Sequence, residues 1–244
     1  KLCPPTCGLE INFRRIKQNP KISVYTLAEI ESLSGAPGNY QAVVKLHPRY
    51  VNDNCTCCGK CSEVCETQIP NPVNYGMDSM PAAYLPHTMA FPFKYVIDPA
   101  IVGTEDAKKC VEACKYNAID LEMQPAVLNL NVGSVVWATG WDPYEAEKVD
   151  YLGFGKYPDV LTSVMFERLS SHSGPTKGQI TRPSDGKPVQ SIALVQCAGS
   201  RDQTLGIDYC SRVCCMYAIK QAMLISGALP LADITIYYMD IRTF

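Results

Sequence analysis

The chain has no long hydrophobic run. Its longest apolar stretch, Ala222 to Ala232, is interrupted by Ser226, Gly227 and Pro230, well short of the roughly 20 residues a helix needs to span a bilayer. Direct membrane insertion is therefore not expected. Charge of one sign is not concentrated either: 22 Lys and Arg stand against 24 Asp and Glu, a net charge of −2, which argues against a nucleic-acid face or a polybasic membrane anchor. Histidine is scarce. The three residues, His47, His87 and His172, form no ligand-like pairing, and no Ser-His-Asp or paired-carboxylate arrangement stands out. The chain opens on Lys1 without an initiator Met or a charged-then-apolar leader and stops at Phe244 just after a strand-like run, which reads as a piece of a longer protein.

What the sequence does have is cysteine, 13 in 244 residues, within a composition that is 47% hydrophobic and 19% charged. Such a composition supports a packed globular chain of roughly one to three domains, too large to need a disulfide framework. The cysteines are clumped at 3 and 7, at 55, 57, 58, 61 and 65, at 110 and 114, and at 197, 210, 214 and 215, with none in the 82 residues between Cys114 and Cys197. Disulfides staple distant segments, whereas thiolates two to four residues apart converge on one metal centre. The pattern favours metal over disulfides, and a reducing compartment with it.

Local signals place these groups on a scaffold. Leu9 to Lys17 has helical character and Asn19-Pro20 ends it. Ile22 to Thr26 alternates like a strand, and Gly35 to Gly38 turns into a second strand, Tyr40 to Leu46. Six prolines between Glu66 and Pro99 predict irregular chain. A short helix over Glu105 to Lys115 carries Cys110 and Cys114, followed by a strand over Ala118 to Met123. Ala126 to Val132 alternates, and Val135 to Gly140 reads as a buried parallel strand ending in a glycine turn. Val160 to Leu169 reads as helix and Gly174 to Pro188 as loop. A buried strand over Ser191 to Gln196, a helix over Tyr209 to Ser226 and a strand over Asp233 to Asp240 make a βαβ unit.

Cys55, Cys58, Cys61 and Cys65 reproduce the C-x2-C-x2-C-x3-C spacing of bacterial ferredoxins, in which three thiolates wrap one cubane and the fourth Cys points to a neighbouring one. Zinc would want two CxxC pairs separated by a longer loop. Cys110 and Cys114 look like the closing half of a second such motif, but the positions three and six residues before Cys110 hold Ala107 and Thr104. One cubane can thus be assembled from Cys55, Cys58, Cys61 and Cys114, with Cys65 as an alternative fourth ligand. The orphan pair Cys65 and Cys110 reads either as small hydrophobes left from a lost cluster or as part of an unusual ligand set with Cys57.

Cys197 follows the strand at 191–196, and Cys210, Cys214 and Cys215 fall in the expected helix after it. A centre on the first turn of that helix can collect all four, with the helix dipole, Arg201 and Arg212 offsetting thiolate charge. Buried core cysteines at 214 and 215 are the plain alternative. Where a dinucleotide-binding βαβ carries GxGxxG, this one reads Cys197-Ala-Gly-Ser-Arg-Asp, so pyridine nucleotide is not expected here. Ala138-Thr139-Gly140 after a buried strand is either an ordinary turn or a flavin-approaching ATG turn. The C-x3-C pair Cys3 and Cys7 has no assigned role.

Several stretches together resemble the family of flavin and iron–sulfur A subunits of heterodisulfide reductases, on the side of its branch in the quinone-interacting membrane-bound oxidoreductase (Qmo) complexes of sulfate reducers. They include Cys3-Pro-Pro-Thr-Cys-Gly-Leu-Glu-Ile-Asn-Phe-Arg-Arg, Val135-Val-Trp-Ala-Thr-Gly-Trp, and Gln196-Cys-Ala-Gly-Ser-Arg-Asp through Tyr209-Cys-Ser-Arg-Val-Cys-Cys-Met. The resemblance implies an α/β fold, a partial glutathione/thioredoxin-reductase-like FAD fold with an inserted ferredoxin-like iron–sulfur domain. Its implied layout is 1–47 and 124–190 for the FAD-binding part, 48–123 for the insertion, and 191–244 for the start of a nucleotide-binding-like βαβ domain. It further implies FAD near Ala138, Thr139 and Gly140, and two [4Fe-4S] clusters, the second on Cys197, Cys210, Cys214 and Cys215. The implied role is electron transfer between adenylylsulfate reductase and menaquinol-linked membrane partners, one of them a haem/quinone protein. The implied place is cytoplasmic, peripheral to the membrane through partner subunits. The incomplete second ferredoxin motif favours the Qmo branch. The alternatives are a flavin-bifurcating component of the heterodisulfide reductase type and a non-redox metal-stabilised scaffold.

Overall fold

A computed structural model describes residues 8–86 and 88–243; Cys3, Cys7 and His87, singled out above, lie outside the described residues. The structure is mixed α/β with small sheets, and its described residues divide into two compact units, one holding residues 8–73 together with 79–140, the other holding Asn74–Asp78 and residues 141–243.

In the first unit, helix α1 (Leu9–Gln18) is supported by an Arg14–Glu10 pair one turn apart and ends where Asn19 turns extended ahead of Pro20. Strands β1 (Ala28–Ala36) and β2 (Asn39–Leu46) form a hairpin. Its Gly-Ala-Pro-Gly corner requires glycine at 35: φ is +103°, and a Cβ there would lie 2.2 Å from the Asn39 carbonyl oxygen. Helix α2 (Lys60–Val64) follows the first cysteine group. The proline-rich stretch is irregular as expected, apart from two minimal ribbons. One pairs β3 (Gln68–Pro70) with β4 (Ser79–Pro81), the other β5 (Ala83–Tyr84) with β6 (Val96–Ile97). Helix α3 (Glu105–Ala113) begins on Thr104, whose side chain accepts from the Ala107 N–H, a cap that satisfies an orphan donor of the first turn. Strand β7 (Ala126–Val132) returns antiparallel to β2, giving the sheet order β1-β2-β7. The core lies beneath the cysteine loops: Val51, Ile97 and Ile101 pack with Ala107, Cys65 and Cys110.

In the second unit, helix α4 (Ser163–Leu169) starts on a Thr162 cap. Strand β8 (Ser191–Val195), helix α5 (Cys214–Ala228) and parallel strand β9 (Asp233–Tyr237) form the expected βαβ unit. Helix α5 buries Cys214, Ala218, Gln221 and Ile225, a stripe at helical spacing.

Several expectations fail. Ile22 to Thr26 and Ala118 to Met123 form no ladder; the latter contributes a single bridge, Val51 to Ile119. Val135 to Gly140 is unpaired, with Val136 84% exposed. Alternation or apolarity marks which faces could be buried, whereas a strand also needs a neighbour to bond with. Helix α5 starts at Cys214, five residues later than expected, because Arg212 sits at φ 64°, outside the helical region. The β8 strand is also half exposed on alternate residues rather than buried. Among the described residues no helix is long and apolar enough to cross a membrane.

Candidate metal centres

The first site is a small cavity in the first unit, open on one side to solvent. Its lining includes Cys55, Cys58, Cys61 and Cys114, the four residues that spacing nominates for one cubane, together with Tyr95 and Tyr116. Cys55 and Cys58 come from the loop before α2, Cys61 from α2 itself, and Cys114 from the C-terminal cap of α3. The loop closes tightly around them. Gly59 (φ +83°) leaves room for the Tyr95 hydroxyl, which would lie 3.4 Å from a Cβ at that position, and Cys57 adopts φ 55°, a strained state that needs its surroundings to hold it.

Hydrogen bonds separate Cys114 from the orphans. The Ala118 N–H donates to Cys114 Sγ at 3.3 Å, an arrangement that suits a thiolate. Cys65, Cys110 and Cys57 instead direct Sγ at carbonyl oxygens, of Thr67 at 3.7 Å, Cys61 at 3.4 Å and Phe93 at 3.0 Å. A thiolate there would face a lone pair, so these sulfurs donate as neutral thiols. Burial, then neighbouring Cys65 and Cys61, push the Cys110 thiol up to about 12; burial and Cys55 push Cys57 to about 11. Cys65 and Cys110 are 5% and 0% exposed, which is the packing of small hydrophobes. Thr104 and Ala107, at the missing ligand positions, serve as a helix cap and as a fully buried core residue.

Cys61 is itself raised to about 11, by burial first and against the Ser62 N–H that lowers it. Crowded thiols resist ionising together, and a bound metal supplies the positive charge that lets them. Among the described residues no three Cys, His, Asp or Glu side chains converge as a single metal ion requires; a cubane distributes its thiolates over four separate irons.

The second site lies at the C-terminal end of β8. Cys197 leaves the strand at φ 58°. Burial raises its thiol, the Arg201 guanidinium lowers it, and the neighbouring Cys214 and Cys210 raise it further. Cys214 and Cys215 open α5 with no side-chain cap on its N-terminus, leaving first-turn N–H groups free for an anionic centre. Cys210 is not on the helix but in the turn before it. Two backbone N–H groups donate to sulfur here, Arg212 to Cys210 at 3.4 Å and Arg242 to Cys215 at 3.3 Å, and Ser211 Oγ lies 2.8 Å from Cys214 Sγ. Tyr95, Asp240 and Arg242 were invisible to motif reading, since only the folded chain brings them to the cysteines.

Ala138, Thr139 and Gly140 lie on the unpaired stretch, and nothing stands within 4 Å of a Cβ built on Gly140.

No protein-family profile matches the chain. Curated relatives do. The A subunit of a ferredoxin/F420H2-dependent CoB-CoM heterodisulfide reductase from Methanosarcina acetivorans is 40% identical over 239 residues, 97% of this chain and 30% of its own length. The A subunit of an H2:CoB-CoM heterodisulfide,ferredoxin reductase from Methanothermobacter thermautotrophicus is 38% identical over 240 residues, 98% of this chain and 36% of its own. The chain belongs to the family of heterodisulfide reductase A subunits. A further member, an iron–sulfur A subunit of CoB–CoM heterodisulfide reductase from Methanopyrus kandleri, is 41% identical over 239 residues and carries iron–sulfur in its name. The chain spans about a third of the length of these relatives.

Proposed function

We propose that this chain is the cubane-bearing segment of an electron-transfer subunit in a multisubunit oxidoreductase of the heterodisulfide reductase type. The observation that carries the reading is the cavity lined by Cys55, Cys58, Cys61 and Cys114, with Cys65 turned away to donate to a carbonyl. When bound, [4Fe-4S] clusters supply one-electron transfer at potentials set by charge, burial and hydrogen bonds to sulfur. The chain's own part is to hold the thiolates, to direct N–H groups at Cys114, Cys210 and Cys215, and to limit water at each site. No side chain is assigned acid or base work. FAD as a second cofactor rests on kinship, with Ala138, Thr139 and Gly140 as its proposed contact.

At a finer level we place the chain in the Qmo branch, between menaquinol-linked membrane partners and adenylylsulfate reductase, peripheral to the cytoplasmic face of the membrane. What supports this is the second ferredoxin motif, filled by the Thr104 cap and the buried Ala107. The competing reading, a flavin-bifurcating role, is favoured by the ferredoxin and H2 named in relatives. The full-length protein is offered a menaquinol analogue through its membrane partners, or reduced ferredoxin, under anaerobic conditions, and reduction of the clusters is followed by EPR. Reduction by ferredoxin alone would overturn the finer placement, and absence of any iron–sulfur signal would overturn the proposal as a whole.

A further inference from the structure

The second cysteine site has a charged neighbour that ligation alone does not require. Arg201 follows Cys197 by four residues, adopts φ 56°, and donates its backbone N–H to the Tyr209 carbonyl at 3.0 Å. Its side chain is 18% exposed. Nη1 lies 3.9 Å from Cys197 Sγ and 2.5 Å from Asp240 Oδ1, and Nη2 lies 3.1 Å from Asp240 Oδ2. Asp240 stands just beyond β9, the strand parallel to the one that delivers Cys197. Arg242 holds the same carboxylate from its own side, Nε and Nη2 each at 3.1 Å, while its backbone N–H donates to Cys215 Sγ at 3.3 Å. An Arg-Asp-Arg chain thus runs from the Cys197 sulfur to the Cys215 sulfur, carrying a net charge of one positive.

The plain interpretation is a staple between the ends of β8 and β9. A staple needs the carboxylate but not the sulfur, and Arg242 already satisfies both carboxylate oxygens. We propose that Arg201, oriented by Asp240, sets the reduction potential of a cluster held by Cys197, Cys210, Cys214 and Cys215. This rests on reading those four residues as ligands. Reduction adds one negative charge to a centre already anionic from its thiolates, so a fixed cation at its edge stabilises the reduced form more than the oxidised form. Arginine holds its charge at every working pH, and its low exposure keeps salt from screening the effect. Asp240 opposes the same charge and limits its size. Arg201 is a positioning residue that acts through the sulfur rather than on a substrate.

The test is an EPR-monitored redox titration of the full-length protein, purified anaerobically, with iron counted in every sample. Arg201→Gln is expected to lower the potential of one centre, reducing its reduced-to-oxidised ratio at fixed potential about tenfold, about 59 mV for a one-electron couple. Arg201→Lys keeps most of the wild-type value, Asp240→Asn moves the potential the opposite way, and the other centre does not move. An unchanged potential in Arg201→Gln with iron retained overturns the proposal. So does a shift of the same sign in Arg201→Gln and Asp240→Asn, which is the mark of a staple. If Arg201→Gln does not assemble, Asp240→Asn decides: a rise supports the proposal and no rise ends it. Failure of the underlying reading looks different, since Cys214→Ser would then leave iron and both EPR signals intact, and the proposal would fall with it.

Discussion

Cys65 and Cys114 hold the same place on successive helices, each closing a short helix in an extended conformation, yet their sulfurs behave oppositely. Cys114 Sγ accepts an N–H and lines the cavity, whereas the buried Cys65 Sγ donates to the Thr67 carbonyl. Cys114→Ser is therefore expected to abolish one cubane EPR signal, and Cys65→Ala to leave it in place; the reverse pattern would exchange their roles. Spacing exposed the ligand group because three of its members are local, but it left the fourth open, since Cys114 reaches the site only through tertiary packing. Cys110 gives a second prediction. Its thiol is raised from 9.0 to about 12, so the folded chain prefers it neutral. That contribution to stability is whole below pH 9.0 and is lost as pH climbs toward 12. Denaturant unfolding across this range should show stability falling above pH 9, and Cys110→Ala should flatten the fall.

Elements were legible where the signal is local, and lost where it depends on a partner. Helices α1, α3 and α4, the turn at Gly35 to Gly38 with strand β2 after it, and strand β7 follow from caps, turn residues and period, whereas strand β1 lies later in the chain than the alternation at 22–26 suggests. The stretches at 22–26 and 135–140 have strand-like side chains without a neighbouring strand among the described residues. The late start of α5 could not be read, because Arg212 in a left-handed state carries no glycine or proline to announce it. The hairpin offers a direct check. Gly35→Ala sets a Cβ 2.2 Å from the Asn39 oxygen at φ +103° and should cost about 1–3 kcal/mol. Hydrogen exchange should show β1 and β2 amides losing protection while α5 amides keep theirs; equal loss in both would mean the corner carries no local strain.

At the scale of the whole molecule, the two candidate centres fall in different compact units, the first built around α2 and α3, the second around the β8-α5-β9 crossover. Each draws its ligands from its own unit, so each should load independently. The family is recognisable across nearly the full chain, although neither cysteine site could be completed from one contiguous stretch: Cys114 and Cys197 both arrive from a distance. The measurement that bears most directly on this account is the count of iron and acid-labile sulfide in the anaerobically reconstituted 244-residue chain and in its Cys214→Ser variant. Two cubanes predict about eight of each per chain, falling to about four of each in the variant. About four of each in the unsubstituted chain, or zinc in place of iron and sulfide, would contradict it.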